Sequence, residues 1–270
     1  MELSIITVNR NNRLGLQRTM DSVFQQTYRD FEYIIVDGAS TDGSLDVISE
    51  HERKGYSMVW ISEPDQGIFD AMNKGIGISQ GTYLFFLNSG DVLDNADVLL
   101  NFINYPREDD VIIGRCRIFQ DEREIWLSRP QEHYTFNDFF HGSIAHQASF
   151  IRKDLFSRFG LYRDDLRIMG DWEFFLRTIV LNNCTVKAYP GIVSRYELDG
   201  VSSDEKSARI ITQEKEYVYS IHHLLNIVPD YHAFDRRLEQ LEPLIWASRK
   251  SFISKPIEHL FRFAKRLVGK

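Results

Sequence analysis

Acids and small polar residues gather at the ends of apolar runs in the first part of the chain. LSIITV, which contains Thr7, leads into Asn9 and Arg10; FEYIIVD ends on Asp37; VWIS leads to Glu63 and Asp65; and LFFLNSGD closes on Asn88, Ser89, Gly90 and Asp91. Carboxylates at neighbouring strand ends repel a bare phosphate. Such a site therefore takes a base or ribose, or a divalent ion that screens a diphosphate. Asn88 and Ser89 can bond ribose hydroxyls, Gly90 permits close backbone approach, and Asp91 is the obvious anionic metal ligand. A plainer role for Asp91 or Asp94 is to cap the helical pattern ADVLLNFIN. Further on, HGSIAHQASF contains His141 and His146, and His146 is either a metal or phosphate contact or a hydrogen-bonded structural histidine. GDWEFFLR sets Asp171 at a helix start, where a carboxylate can serve simply as an N-cap.

The elements that must position these groups follow from periodicity. Apolar, β-branched runs alternate with helical patterns of ten to fifteen residues, which predicts right-handed βαβ crossovers and an α/β fold with a mostly parallel, Rossmann-like central sheet flanked by helices. LFFLNSGD reads as a buried central strand whose carboxyl end faces the ligand side. There is no GxxxxGK[ST], and Gly75, Gly77 and Gly81 fall at a helix C-terminus, so a P-loop or dinucleotide enzyme is excluded. VIIGRCRIF and IWLS predict a hairpin, TVKAY and IVSRYEL two further strands, and DGVSSDEKSARI a loop before a helix, either one that closes over a ligand or a passive linker. In GDWEFFLRTIV, Phe174, Phe175, Thr178 and Ile179 face a core.

The 270 residues are 43% hydrophobic and 26% charged, as in an ordinary soluble globular protein. Cys116 and Cys184 show no metal-ligand spacing and indicate neither a disulfide framework nor a zinc site. The net charge of −7 hides a basic tail, for residues 249–270 carry seven Lys and Arg against one acid, Glu258. The acidic body argues against nucleic-acid binding. The tail, apolar at 257, 260, 261, 264, 267 and 268, predicts an amphipathic helix that lies on an anionic membrane surface or packs on protein. No apolar run reaches membrane-spanning length and no signal sequence opens the chain, so the sequence predicts a cytoplasmic protein, peripheral at most on the inner face of a membrane. The expected division is a domain of residues 1–200 and a helical extension of residues 201–270. Self-association is compatible with this sequence and not required by it.

VDGASTDGS, SEPDQGIFDAMNKGI, FLNSGD, HQASF and GDWEFFLR, in that order, resemble the inverting family 2 glycosyltransferases of bacterial polysaccharide synthesis. The resemblance implies a GT-A fold, a UDP-sugar donor, a glycan or lipid-linked saccharide acceptor, and Mn2+ or Mg2+ as cofactor. It further implies that Thr7 and Asp37 hold the base, that Arg10, Asp65 and Lys74 line the nucleotide pocket, that Asp91 stands at the metal motif, and that Asp171 is the general base. That last role has a chemical reason: a sugar hydroxyl attacks C1 only if a positioned group takes its proton. Three glycines depart from the family pattern. Gly38, Gly90 and Gly170 stand where relatives often carry a second acid. They motivate two alternatives, a nucleotide-binding scaffold without turnover and a transferase acting on a polyprenyl phosphate, which needs no base.

Overall fold

The computed structural model describes residues 1–198 and 205–248. Its strands are β1 (Leu3–Asn9), β2 (Glu32–Asp37), β3 (Val59–Ser62), β4 (Tyr83–Phe86), β5 (Val92–Leu93), β6 (Val111–Gln120), β7 (Arg123–Leu127), β8 (Ser149–Arg152) and β9 (Val186–Glu197). The helices are α1 (Arg13–Phe24), α2 (Ser44–Arg53), α3 (Ile68–Ile78), α4 (Val98–Ile103), α5 (Phe136–His141), α6 (Asp154–Phe159), α7 (Gly170–Phe175), α8 (Glu205–Ile221) and α9 (Val228–Ser248).

One sheet carries all nine strands in the order β3-β2-β1-β4-β8-β6-β9-β5, with β7 paired to β6. The first four strands are mutually parallel, β8 runs antiparallel to both β4 and β6, and β9 lies parallel to β6. Every residue of β1 and β4 is buried, as an unbroken apolar run demands when helices cover both faces of a sheet. Two of the glycines around the end of α3, Gly75 within it and Gly81 after it, serve packing. A Cβ on Gly75 would lie 2.6 Å from Ile6 of β1, and one on Gly81 would lie 2.5 Å from the Ser4 amide. Behind β4 and β8 the Phe150 ring stacks on Phe102 at 3.6 Å and on Phe85 at 4.8 Å, a core that holds the β4 end rigid.

The predicted hairpin is β6–β7. TVKAY and IVSRYEL form not two strands but one, β9, which runs through Pro190 and Gly191. The interruption is absorbed as register shifts against β6 around Arg115, and Gly191 packs so closely on the Tyr189 ring that a Cβ would lie 2.3 Å from it. Phe174, Phe175, Thr178 and Ile179 are all buried, and α7 continues as a π-helical stretch over Leu176–Leu181.

The chain divides into two compact units, residues 1–215 and 216–270, so the first unit takes in part of α8 beyond the boundary expected at residue 200. The basic tail 249–270 and most of the loop before α8 lie outside the described residues. Among the described residues no helix is long and apolar enough to cross a membrane.

Candidate active site

The β4–β5 loop is built around α1. Asn12 caps that helix by accepting from the Gly15 amide at 3.1 Å, and its amide donates to the Ser89 carbonyl at 2.9 Å. Thr19, about two helical turns further in, accepts from the Gly90 amide at 3.0 Å and donates to the Asp91 carbonyl at 2.7 Å. Gly90 has a φ of +114°, a conformation that L side chains rarely adopt, so the turn itself requires glycine here. These contacts fix Asn88, Ser89 and Asp91 at the sheet edge.

Two other elements converge on that loop. A single 3-10 turn, His146–Ala148, precedes β8 and carries His146, whose Nδ1 lies 2.7 Å from Asp171 Oδ2 at the start of α7. The other ring nitrogen, Nε2, lies 3.2 Å from the Asn88 amide nitrogen. This network reads as an Nδ1–H donated to Asp171, with Nε2 accepting from Asn88. Burial pulls the imidazole pKa down, but the hydrogen bond and charge of Asp171, reinforced by the charge of Asp91, outweigh it and raise the pKa above 6.5. Both carboxylates thus act on one imidazole, Asp171 by direct contact and Asp91 through its field. The side chains of His146 and Asp171 keep 20% and 17% of their surface exposed, so the pair opens to solvent. Tyr162 packs among Phe86, Phe156 and Phe174 with its hydroxyl buried and unpartnered, and burial together with the Asp171 charge pushes its pKa well up.

At the other strand ends the Asp37 carboxylate is fully buried. It accepts from Asn9 Nδ2 at 2.8 Å, from the Ser40 hydroxyl and amide at 2.6 and 2.8 Å, and from the Ser62 hydroxyl at 2.8 Å. Thr7 is equally buried, donating to the Leu87 carbonyl at 2.8 Å with Tyr33 Oη at 3.0 Å. Direct contact of Thr7 with a base is therefore corrected: its side chain turns into the sheet and ties β1 to β2 and to the β4 end. Asp37 presents no open oxygen and instead organises the groups around it. Arg10 is exposed and pairs with Asp65 at 3.2 Å, forming the rim. Lys74 closes on its own loop, with the Pro64 carbonyl at 2.8 Å, Glu63 at 3.0 Å and Asp70 at 3.4 Å.

The three glycines that depart from the family pattern have local explanations. A Cβ on Gly38 would meet Asp65 Oδ2 at 2.0 Å, and one on Gly170 would meet the Phe69 ring at 2.7 Å. With the φ of Gly90, each position is set by its neighbours, and none needs loss of function to account for it.

Glu214 was not found from the sequence. From α8 its carboxylate accepts the backbone amides of Arg167 (2.6 Å), Ile168 (3.0 Å) and Met169 (2.9 Å), the three residues that lead into Gly170 and Asp171. Next to it Lys215 places its ammonium 5.1 Å from the Trp172 ring centre, and burial lowers its pKa. Trp172 is buried, donating its indole N–H to the Phe139 and Gly142 carbonyls. A lone Glu in a helical pattern carries no sequence signal for such a contact.

Among the described residues no three His, Cys, Asp or Glu side chains converge as a self-sufficient metal site. Both ring nitrogens of His146 are engaged, so it offers no free lone pair to an ion. Asn88 Oδ1 is buried without a hydrogen-bond partner in the loop that carries Asp91, an oxygen set of the hard kind that Mg2+ and Mn2+ accept when substrate phosphates complete the shell.

The family model for glycosyl transferase family 2 matches residues 4–166. A PGL/p-HBAD biosynthesis glycosyltransferase of Mycobacterium bovis is 33% identical over 201 residues, 72% of each chain. Among solved structures, the chain superposes on S. aureus TarS 1-349 in complex with UDP-GlcNAc with a TM-score of 0.62 at 16% identity, covering 78% of this chain and 64% of that one. It also superposes on the mannosyltransferase PcManGT of Pyrobaculum calidifontis, in complex with GDP-Man and Mn2+, with a TM-score of 0.57 at 15% identity, covering 75% and 58%. The chain is a glycosyltransferase with the GT-A fold and belongs to glycosyl transferase family 2.

Proposed function

We propose that the cleft transfers a hexose or N-acetylhexosamine from a UDP-sugar to a hydroxyl of a lipid-linked glycan, with inversion at C1, in the synthesis of a cell-surface polysaccharide. The observation that carries this reading is the Asp171–His146–Asn88 chain beside Asp91, which assembles a proton acceptor and the anionic end of a diphosphate site in one place. The relative's role in glycolipid biosynthesis and the UDP-GlcNAc of the TarS complex support the acceptor and donor classes.

Asp171 accepts the proton of the acceptor hydroxyl as the bond to C1 forms, and His146 holds the carboxylate in one orientation through Nδ1. Arg10 and Asp65 border the nucleotide, Asn88 and Ser89 face the ribose and diphosphate, and Asp37 shapes the base pocket through Asn9, Ser40 and Ser62. Lys74 keeps the 63–67 loop folded against that pocket. Asp91 and Asn88 Oδ1 would hold Mn2+ or Mg2+, which supplies positive charge against the departing diphosphate. Residues 249–270 bring the enzyme to an anionic membrane that holds the acceptor.

A panel of nucleotide sugars, assayed for slow donor hydrolysis with and without Mn2+, tests the reading. UDP release from one or two UDP-hexoses is expected. Hydrolysis confined to donors with another base would overturn the donor class.

A further inference from the structure

The cavity on the β6–β7 hairpin has no role in the site described above. It measures about 320 Å3, within the range of small-molecule sites, and is lined by Arg115, Glu124, Ile125, Trp126, Leu127 and Arg129. Its charge is one-sided. Elsewhere in the sheet Arg117 and Arg195 close on Asp94, and Arg152 closes on Asp154. Among the described residues the guanidinium groups of Arg115 and Arg129 make no hydrogen bond or ion pair. The cavity's one acid, Glu124, is already neutralised by Arg117 at 2.8 Å. Trp126 lines the same cavity and is 62% exposed, although indole is costly to leave in water.

Register places this cavity beside the catalytic turn. On one edge of β6, Ile113 pairs with Ser149, the first residue after the His146 turn, and Cys116 is bonded to Ser128, which follows β7. Arg115 lies in the interval between them, roughly 7 Å along the strand from Ile113. The nucleotide rim, at the ends of β1, β2 and β3, lies on the other side of β4.

We propose that this cavity is an acceptor subsite for an acidic saccharide unit, a sugar ring bearing a carboxylate or phosphate. The inference rests on the transferase reading. The indole takes the C–H face of the ring, and the two guanidinium forks take the oxyanion. A simple anion leaves Trp126 unused, and a second copy docked face to face would set unpaired arginines against each other.

The test is titration calorimetry on the full chain saturated with UDP, using a glucuronyl-N-acetylglucosamine disaccharide, its neutral glucosyl counterpart and inorganic phosphate. The acidic disaccharide is expected to bind about tenfold tighter than the neutral one, the effect of one charge-assisted contact. The Arg115→Gln/Arg129→Gln double variant should erase that preference, and Trp126→Ala should weaken both sugars. Equal affinity for the two disaccharides overturns the proposal, as does preference that survives the double variant or phosphate binding as tightly as the acidic sugar. A concentration-dependent dimer abolished by Trp126→Ala would show this face to be a contact between copies and would also overturn it. UDP affinity is read in the same experiment. If UDP binds and no saccharide preference appears, only this subsite falls, whereas failure to bind UDP strikes the transferase reading itself.

Discussion

Glu214 offers the sharpest separation of positioning from folding. Its Oε1 takes the Arg167 amide and its Oε2 takes both Ile168 and Met169. The Arg167 contact is exposed, so water replaces it when the carboxylate is lost. The other two are part-buried, and each orphaned amide costs about 1–2 kcal/mol. Glu214→Ala therefore loosens the segment by ~2–4 kcal/mol. Glu214→Gln can keep the Ile168 and Met169 contacts on its one carbonyl oxygen, as neutral bonds of about half the strength, for a loss of ~1–2 kcal/mol. Because Met169 sits two residues before Asp171, the loosening is felt as misplacement of the base, and a shift of ~1 Å in a reacting group costs about a hundredfold. Donor hydrolysis, UDP calorimetry and thermal unfolding together read the outcome. We expect kcat to fall about a hundredfold in Glu214→Ala and about tenfold in Glu214→Gln, with KM for the donor and UDP affinity within about threefold of wild type. A Glu214→Ala variant that loses stability yet keeps kcat within about twofold would refute the positioning argument.

Other outcomes follow from the same geometry. Thr7→Val leaves the Leu87 carbonyl and Tyr33 hydroxyl without their partner and should cost ~1–3 kcal/mol in denaturant unfolding while UDP affinity stays unchanged; a lost UDP affinity with intact stability would restore Thr7 to the base site. Gly170→Asp drives a Cβ into the Phe69 ring and should cost ~1–3 kcal/mol, a loss that Phe69→Ala relieves; full stability of the single variant would contradict the packing explanation of that glycine. The His146 imidazole titrates above its ordinary 6.5. Its attraction to Asp171 therefore adds stability that is fully present below the unfolded-state pKa and is lost as pH rises through the folded value. Over that window the departing imidazolium charge stops competing for Asp171, so kcat/KM should climb as stability falls, and His146→Gln should remove both trends. A wild-type rate profile flat from pH 6 to pH 8 would contradict the coupling.

How much of this was legible in the sequence depended on the range of the interactions. Strand runs such as LSIITV and YLFF declare themselves because burial on both faces demands unbroken apolar residues. The order of the motifs suffices to place Asp91 and Asp171 in one enzyme. The turn chemistry was legible too, since Gly90 and Asp91 mark a strand end whatever lies behind it. What could not be read were contacts made by residues of unremarkable type at long separation. Glu214 capping amides 45 or more residues away is one case, and Thr19 stapling a loop some 70 residues away is another. Thr7 erred in the opposite direction, because a polar residue near a strand end does not reveal which way its side chain turns. The departing glycines at 38 and 170 suggested lost chemistry until the neighbours filling their space, Asp65 and Phe69, were in view.

The central claim is that Asp171 accepts the proton from the attacking oxygen, and Asp171→Asn tests it most directly. The account predicts that the variant binds UDP with unchanged affinity while turnover of the UDP-sugar falls ~10²–10⁴-fold, the usual contribution of a positioned base. Turnover within about threefold of wild type, in a variant that still binds UDP, would contradict it and shift the chemistry toward an acceptor that arrives already charged.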